Sequence, residues 1–159
     1  MAVKLAAAIG AEVTVFSTSD NKKADAQRLG AKNFANSKDP ETFRKYAGYF
    51  DFMINTVAAN IDLNQYLNMV KQDGTLVLVG APPNPASVHA FSLIIKRRRL
   101  AGSLIGGIKE TQEMLDFCGE KGIGSDIELI PIDKINEAYE RVIKGDVKYR
   151  FVIDIKTLK

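Results

Sequence analysis

Apolar residues along this chain alternate between a helical period and a strand period. Met1 to Ile9 is alanine-rich and helix-favouring, and Gly10 is placed to close it. Glu12 to Phe16 (EVTVF) predicts a short buried strand. Asp20 or Asn21 is suited to cap a helix over Lys22–Leu29, which Gly30 ends. A short strand follows around Asn33 to Ala35, and Asp39-Pro40 opens a helix to Tyr46 with proline at its first position. Phe50 to Val57 predicts the next strand and Asp62 to Val70 a helix. Gly74 to Gly80 (GTLVLVG) is continuously apolar, as a strand buried on both faces would be. Pro82, Pro83 and Pro85 mark a loop. Then come a helix over Phe91–Arg97, a strand over Leu100–Ile105, and an amphipathic helix over Lys109–Lys121 with Met114, Leu115 and Cys118 on one side. Ile127–Ile132 is extended, Asp133–Lys144 helical and Tyr149–Ile155 extended.

Strands alternating with helices at this spacing imply crossover units, hence an α/β fold with a mostly parallel, doubly wound sheet. In such sheets the first strand feeds the first helix through a glycine-rich turn that cradles phosphate. Here the pattern opens on a helix, and no Gly-x-Gly-x-x-Gly precedes any helix. Gly102 to Gly107 (GSLIGG) is glycine-rich but follows a late strand. The extended segments of the last thirty or so residues interleave polar and apolar positions, as half-exposed strands do.

Composition narrows the chemistry. With 159 residues and 46% hydrophobic content the chain is domain-sized and able to bury a core. Lys plus Arg is 22 against 19 acidic residues, a net +3 that is not the footprint of a dedicated nucleic-acid binder. Lys96 to Arg99 (KRRR) is a single basic run without interleaved aromatics, and it predicts a solvated helix end facing the negative pole of the helix dipole. One cysteine, Cys118, excludes an internal disulfide, and one histidine, His89, excludes any site needing two imidazoles. Both are expected in structural roles. The apolar stretch Leu5–Ile9 is far shorter than the ~20 residues a membrane span needs, and the lone thiol suits a reducing, cytoplasmic compartment.

Ligands in open parallel sheets bind beyond the carboxyl ends of the strands. Ser17, Thr18 and Ser19 follow the first predicted strand, with Lys22 and Lys23 close behind and no acidic residue at the strand tip. Hydroxyls and a cation at that place suit a ribose 2′-phosphate, whereas a carboxylate would suit a free 2′-hydroxyl. The same residues also suit an ordinary polar turn into a helix. Asn55-Thr56-Val57 and Val79-Gly80-Ala81-Pro82 occupy two further strand ends, open to the same two readings. Arg150 is placed either to reach a phosphate or to pair along an edge strand.

The ordered set STSDNKK (Ser17 to Lys23), LGA (Leu29 to Ala31), DFMINTV, DGTLVLVGAP, AGSLIGG, KETQEMLDFC and NEAYERVIKGDVKYRFVIDI resembles the cinnamyl-alcohol-dehydrogenase branch of the zinc-dependent medium-chain alcohol dehydrogenases, including its bacterial aldehyde reductases. The resemblance runs over essentially the whole chain. It implies a Rossmann-like domain over residues 1–126 and a C-terminal tail over 127–159 that packs on a separate catalytic domain in the family. It implies NADP(H) as cofactor and hydride transfer between NADPH and an aldehyde. Matched residue by residue, Ser17, Thr18, Ser19 and Lys22 correspond to the 2′-phosphate pocket, with Lys23 as a second candidate. Thr56 and Val57 correspond to the segment beside the adenine and ribose, and Val79, Gly80 and Ala81 to the backbone beside the nicotinamide. Ser103, Leu104 and Ile105 close over the nicotinamide end, and Arg150 lies near the pyrophosphate. The strand around Leu100–Ile105 corresponds to the edge by which such domains pair into homo-oligomers.

The family's zinc ligands, proton-relay residues and phosphate-binding glycines have no counterpart among these residues, so the isolated chain is expected to be catalytically inert. In a 3-2-1-4-5-6 strand order the strand preceding the first helix is central. Without it, the strands at Glu12–Phe16 and Phe50–Val57 are expected to close up, to accept another chain between them, or to belong to a longer protein. Each buried backbone group left unpaired costs roughly 1–3 kcal/mol. On residues alone, a non-catalytic α/β module binding a nucleotide or a protein remains an alternative. So does an α/β transferase such as a methyltransferase, which the whole-chain resemblance disfavours.

Overall fold

Parallel pairing runs through every strand of the protein. The computed structural model describes residues 1–158. In chain order the elements are α1 (Ala2–Ala8), β1 (Thr14–Ser17), α2 (Lys23–Arg28), β2 (Asn33–Asn36), α3 (Pro40–Lys45) and β3 (Phe50–Asn55). They continue with α4 (Leu63–Met69), β4 (Val70–Leu78), α5 (Ala90–Ile94), β5 (Arg99–Gly102), α6 (Ile108–Glu120), β6 (Glu128–Pro131), α7 (Ile135–Ile143) and β7 (Phe151–Asp154). Short 3-10 turns precede α2 and α7 and follow β7.

The helix–strand alternation matches the sequence expectation, and local chemistry explains several boundaries. Asp39 caps α3 by accepting from Glu41 N at 3.0 Å, and Asp62 caps α4 by accepting from Asn64 N at 3.0 Å. Gly30 ends α2 with φ +109°, and a Cβ there would lie 2.8 Å from Ala7 Cβ, so this turn requires glycine both for conformation and for the approach of α1. The cap expected from Asp20 or Asn21 is not formed. Asp20 instead accepts from Asn36 Nδ2 at 3.1 Å, tying the turn to β2.

The expected single sheet is divided into three: β1–β2, β3–β4–β5 and β6–β7. β1 and β3 do not pair, so the first of the three expected outcomes, closure, is not taken. Aromatic rings hold the two strands in one core without a ladder. Phe16 of β1 meets Phe50 of β3 edge-on at 5.5 Å between centroids and Tyr46 at 5.7 Å. These rings surround buried Ala35, Tyr46 and Met69. A second cluster, Leu63, Leu67, Val70 and Leu76, lies between α4 and the β3–β4–β5 sheet. Full burial of each such side chain contributes about 1.5–3 kcal/mol. The regular β3–β4 ladder starts at Phe52↔Thr75, close to the predicted Gly74 start. Val70 pairs separately with Phe50, and the residues between bulge out through Asp73 at φ 61°.

Two expectations are corrected by the tertiary packing. Lys96, Arg97 and Arg99 are exposed as a solvated helix end would be, but Arg98 is buried and donates to the carbonyls of Val70 (2.8 Å), Ser92 (3.0 Å) and Asn68 (3.3 Å). It therefore caps the C-terminus of α4, a helix distant in sequence. Arg97 pairs with Asp73 at 2.6 Å, and Arg99 donates to the Asp73 carbonyl at 2.9 Å. On α6, Cys118 is buried and its thiol lies 3.6 Å from Met114 Sδ, but Met114 and Leu115 are exposed, so only part of that apolar side is covered among the described residues. His89 sits in the loop before α5, stacked on Phe91.

Candidate functional site

Because β3, β4 and β5 are parallel and in register Asn55↔Leu78↔Gly102, their carboxyl ends finish side by side. Three of the segments singled out from sequence leave the sheet there together: Thr56 and Val57 after β3, Val79, Gly80 and Ala81 after β4, and Ser103, Leu104 and Ile105 after β5. Hydrogen bonds knit their first residues. Asn55 O accepts from Val79 N (3.0 Å) and Gly80 N (3.3 Å), and Leu78 O accepts from Ser103 N (3.1 Å). Val57, Val79, Leu104 and Ile105 are exposed, the last two at 90% each. The strand expected to reach Ile105 stops at Gly102, because past it only Ser103 N still bonds to β4.

Gly80 decides how close these segments lie. A Cβ there would fall 2.6 Å from Val57 O and 3.0 Å from the Thr56 carbonyl carbon. Only a residue without a side chain lets the β4 end rest against the β3 end. Beside them, a cavity of about 670 Å³ lies between Asn55, Leu78 and Gly80 on one side and the loop through Pro82, Pro85 and Ser87 on the other. That is within the usual size of a small-molecule pocket. Asn55, singled out from sequence together with Thr56 and Val57, contributes through its side chain. Its side-chain oxygen accepts from Val57 N at 3.0 Å and holds the turn after β3. An asparagine two residues before a strand-end valine is a recognisable local-turn signal.

A second group forms at the carboxyl end of β1. Ser17 closes the β1–β2 ladder opposite Asn36. Its hydroxyl oxygen is 3.4 Å from Ser19 N, and the Ser19 hydroxyl donates to Asn21 Oδ1 at 2.7 Å. Thr18, Lys22 and Lys23 are exposed, and among the described residues neither lysine is in an ion pair. The turn is therefore ordered by its own side chains and presents a hydroxyl and two cations outward. Asp20, the nearest carboxylate, is engaged by Asn36.

Arg150 lies apart from both groups, in the segment entering β7. It is exposed, its carbonyl accepts from Glu128 N at 3.0 Å, and its guanidinium makes no ion pair among the described residues. The residues before it are firmly held. Lys148 reaches Asp25 of α2 at 2.8 Å, and its N–H donates to Glu128 Oε1 at 3.0 Å. Tyr149 N donates to Asp126 O at 3.2 Å. The Asp126 carboxylate bridges Lys4 of α1 and Arg28 of α2, each at 2.6 Å, and Lys4 also donates to Gly124 O at 2.7 Å. Lys4 and Arg28 hold the Asp126 carboxyl below its usual range, and Lys148 does the same for Asp25. Glu128 is lowered by the Lys148 N–H and by Arg141, which pairs with it at 2.7 Å. This cluster joins residues up to 144 positions apart (148 − 4), and single-sequence periodicity carries no signal for it.

Among the described residues no group of three His, Cys, Asp or Glu side chains is placed to hold a metal ion. Among the described residues no helix is long and apolar enough to cross a membrane.

Comparison with known proteins agrees with the resemblance noted from sequence. A family profile described as zinc-binding dehydrogenase matches residues 1–120. The chain is 60% identical over 158 residues to a protein of Mycobacterium tuberculosis called NADP-dependent alcohol dehydrogenase C, covering 99% of this chain and 46% of that one. Among solved structures, a Sorghum bicolor cinnamyl alcohol dehydrogenase (SbCAD4) superposes with a TM-score of 0.95 at 42% identity, covering 100% of this chain and 45% of that one. A cinnamyl alcohol dehydrogenase from Helicobacter pylori in complex with NADP(H) superposes with a TM-score of 0.85 at 42% identity, covering 98% of this chain and 44% of that one. The chain thus spans a little under half the length of the relatives it matches.

Proposed function

The chain belongs to the zinc-binding dehydrogenase family, and we propose that it is the NADP(H)-binding portion of an alcohol dehydrogenase or aldehyde reductase. The observation that carries this reading is the alignment of three strand ends by the Asn55↔Leu78↔Gly102 register, with Gly80 packed on the Val57 backbone. It leaves an open ledge of backbone and apolar side chains at the place where parallel sheets bind dinucleotides.

The residues fit the cofactor. The Thr18 hydroxyl and the Lys22 and Lys23 ammonium groups are exposed and supply the donors and charge that a 2′-phosphate needs, with Ser17 and Ser19 shaping the turn. Thr56 and Val57 would flank the adenosine half. Val79, Gly80 and Ala81 would line the nicotinamide, Ser103, Leu104 and Ile105 would cover it, and Arg150 would meet the diphosphate. When bound, NADPH supplies the hydride that reduces an aldehyde, or its oxidised form accepts one from an alcohol. What this chain's residues do is bind and orient.

The described residues do not fit a catalytic zinc. The one thiol is buried against Met114 and the one imidazole is stacked on Phe91, so no step is assigned to a metal on this chain. We therefore assign the working reaction to a protein in which residues 1–126 bind nucleotide, 127–159 form a tail that packs on a further domain, and that domain completes the site. The exposed edge of β5 with Leu104, Ile105 and Ile108 beyond it supports pairing of two copies through this strand. The single thiol supports a cytoplasmic setting.

Titration with NADPH and NADH, followed by the cofactors' own fluorescence, tests the assignment. NADPH is expected to bind about tenfold or more tighter than NADH, and the Lys22→Ala, Lys23→Ala double variant to lose that preference. NADPH bound no tighter than NADH overturns the 2′-phosphate pocket.

A further inference from the structure

The proposed cofactor site carries positive charge in two places that no single element contains. Lys22 and Lys23 stand at the start of α2, and Arg150 stands in the segment entering β7. A ligand with anionic groups at both points binds tightly only when the two poles keep a fixed spacing, since ordering a loose segment on binding costs affinity. The sheets do not provide that spacing, because β1–β2 and β6–β7 share no ladder.

We infer that the ion cluster of Lys4, Asp25, Arg28, Asp126 and Lys148 is a positioning device that holds Arg150 at a set distance from Lys22 and Lys23, matching the site to a dinucleotide phosphorylated on both its diphosphate bridge and its ribose. This rests on the NADP(H) reading above. The cluster attaches the segments that enter β6 and β7 to α2, at two points on successive turns. Asp25, two residues after Lys23, takes Lys148 at 2.8 Å. Arg28, one turn later, takes Asp126 at 2.6 Å, and the Asp126 carbonyl in turn accepts from Tyr149 N at 3.2 Å. Because β6 and β7 share one ladder, the two attachments stop this pair pivoting about either one. Lys4 adds a third point on α1 through Asp126 and Gly124.

The consequence for Arg150 is direct. Lys148, Tyr149 and Arg150 each make a backbone hydrogen bond, to Glu128 Oε1, Asp126 O and Glu128 N respectively. The backbone of this segment is thus held while the Arg150 guanidinium is left exposed and, among the described residues, without an ion-pair partner. The cations of the cluster are spent on carboxylates, whereas Arg150, Lys22 and Lys23 are not. Ion pairs at exposed or half-exposed sites contribute little to stability one by one. What five linked charges on four separate segments do provide is a constraint on relative position.

The test compares a ligand that needs both poles with one that needs only the first. NADPH carries the ribose 2′-phosphate and the diphosphate, whereas 2′-AMP carries the 2′-phosphate alone. Asp126→Asn and Lys148→Ala are each expected to weaken NADPH by about tenfold while leaving 2′-AMP within about twofold. Lys148→Arg, which preserves the bridge, is expected to keep NADPH affinity. In an Arg150→Ala background Asp126→Asn is expected to add no further loss, because the group it positions is gone. Equal losses for NADPH and 2′-AMP would show general loosening of the fold and would overturn the positioning role. If Arg150→Ala weakens NADPH but neither Asp126→Asn nor Lys148→Ala does, positioning is refuted while the cofactor reading stands. If the unaltered chain binds neither ligand, the cofactor reading fails and the positioning role with it.

Discussion

Replacing Arg98 by methionine is the perturbation that most directly probes the core. Arg98 is 8% exposed, and no carboxylate pairs with it among the described residues. Its charge is balanced by carbonyls: Val70 O at 2.8 Å, Ser92 O at 3.0 Å, Asn68 O at 3.3 Å, and the Asn68 side-chain oxygen at 3.4 Å. Asn68 and Val70 lie at the C-terminus of α4, where carbonyls lack intrahelical partners and the helix dipole favours a cation. Methionine fills much of the arginine stem's volume but donates nothing. A hydrogen bond to a charged group contributes about 1.5–3 kcal/mol. Only the bond to Val70 is fully buried, so counting it whole and the weaker three in part gives about 3–5 kcal/mol lost. Set against this is the desolvation that Arg98 suffers, the same burial that pushes its pKa down. The net expectation is about 2–3 kcal/mol of destabilisation. Urea unfolding followed by far-UV circular dichroism measures it. At about 1–3 kcal/mol per molar of urea the midpoint falls by roughly 1–2 M. Arg98→Lys keeps the charge but loses the planar fork and is expected to recover about half. Arg99→Met, exposed and holding one carbonyl, is the control, within about 0.5 kcal/mol of the parent. Equal midpoints for Arg98→Met and Arg99→Met would refute the capping role.

Two further outcomes follow from the geometry. Gly80→Ala places a methyl group 2.6 Å from Val57 O, so the β3 and β4 ends must part, and overpacking of this kind costs about 1–3 kcal/mol. NADPH affinity is expected to fall about tenfold or more, and fluorescence titration reads it; unchanged affinity would detach Gly80 from the site. The carboxyls of Asp25, Asp126 and Glu128 are all lowered in the folded protein, so between their folded and unfolded pKa values the unfolded chain binds more protons. The stability they contribute is present in full above the unfolded range, about pH 4, and is lost as pH falls through the lowered values. Melting temperature measured from pH 7 to pH 2 should drop below about pH 4, with a shallower drop for Asp126→Asn. Identical acid profiles for parent and variant would show that Asp126 does not bear the load assigned to it.

Much of the secondary structure was legible because it is dictated locally. The caps at Asp39 and Asp62, the proline opening α3 and the apolar GTLVLVG run act within a turn or a strand of their own positions. The strand-end segments around Thr56 and Gly80 were legible to within two residues, β3 and β4 stopping at Asn55 and Leu78 where the apolar pattern runs on to Val57 and Gly80. Arg98 was misread as solvated because its partners lie up to 30 positions away, on a helix whose end it caps. The Ser17–Lys23 turn was equally compatible with a plain helix start. The proposed 2′-phosphate reading rests on its geometry, with Asp20 turned toward Asn36 and the two lysines unpaired among the described residues.

Alternation of apolar and polar positions by itself determined that strands and helices alternate, that the strands are parallel, and which strand ends are available to a ligand. These depend on short-range periodicity and on the length of crossover that parallel pairing demands. The tertiary structure decided which strands pair at all. β1 and β3 share no ladder, and contact between their segments is made instead by the Phe16 ring meeting Tyr46 and Phe50 edge-on. It also decided that Asp126 joins Lys4 to Arg28, and that Arg98 goes inward while Arg97 and Arg99 stay at the surface. Such choices turn on the burial of charge and on contacts between residues far apart in the chain, and single-residue periodicity holds no record of either.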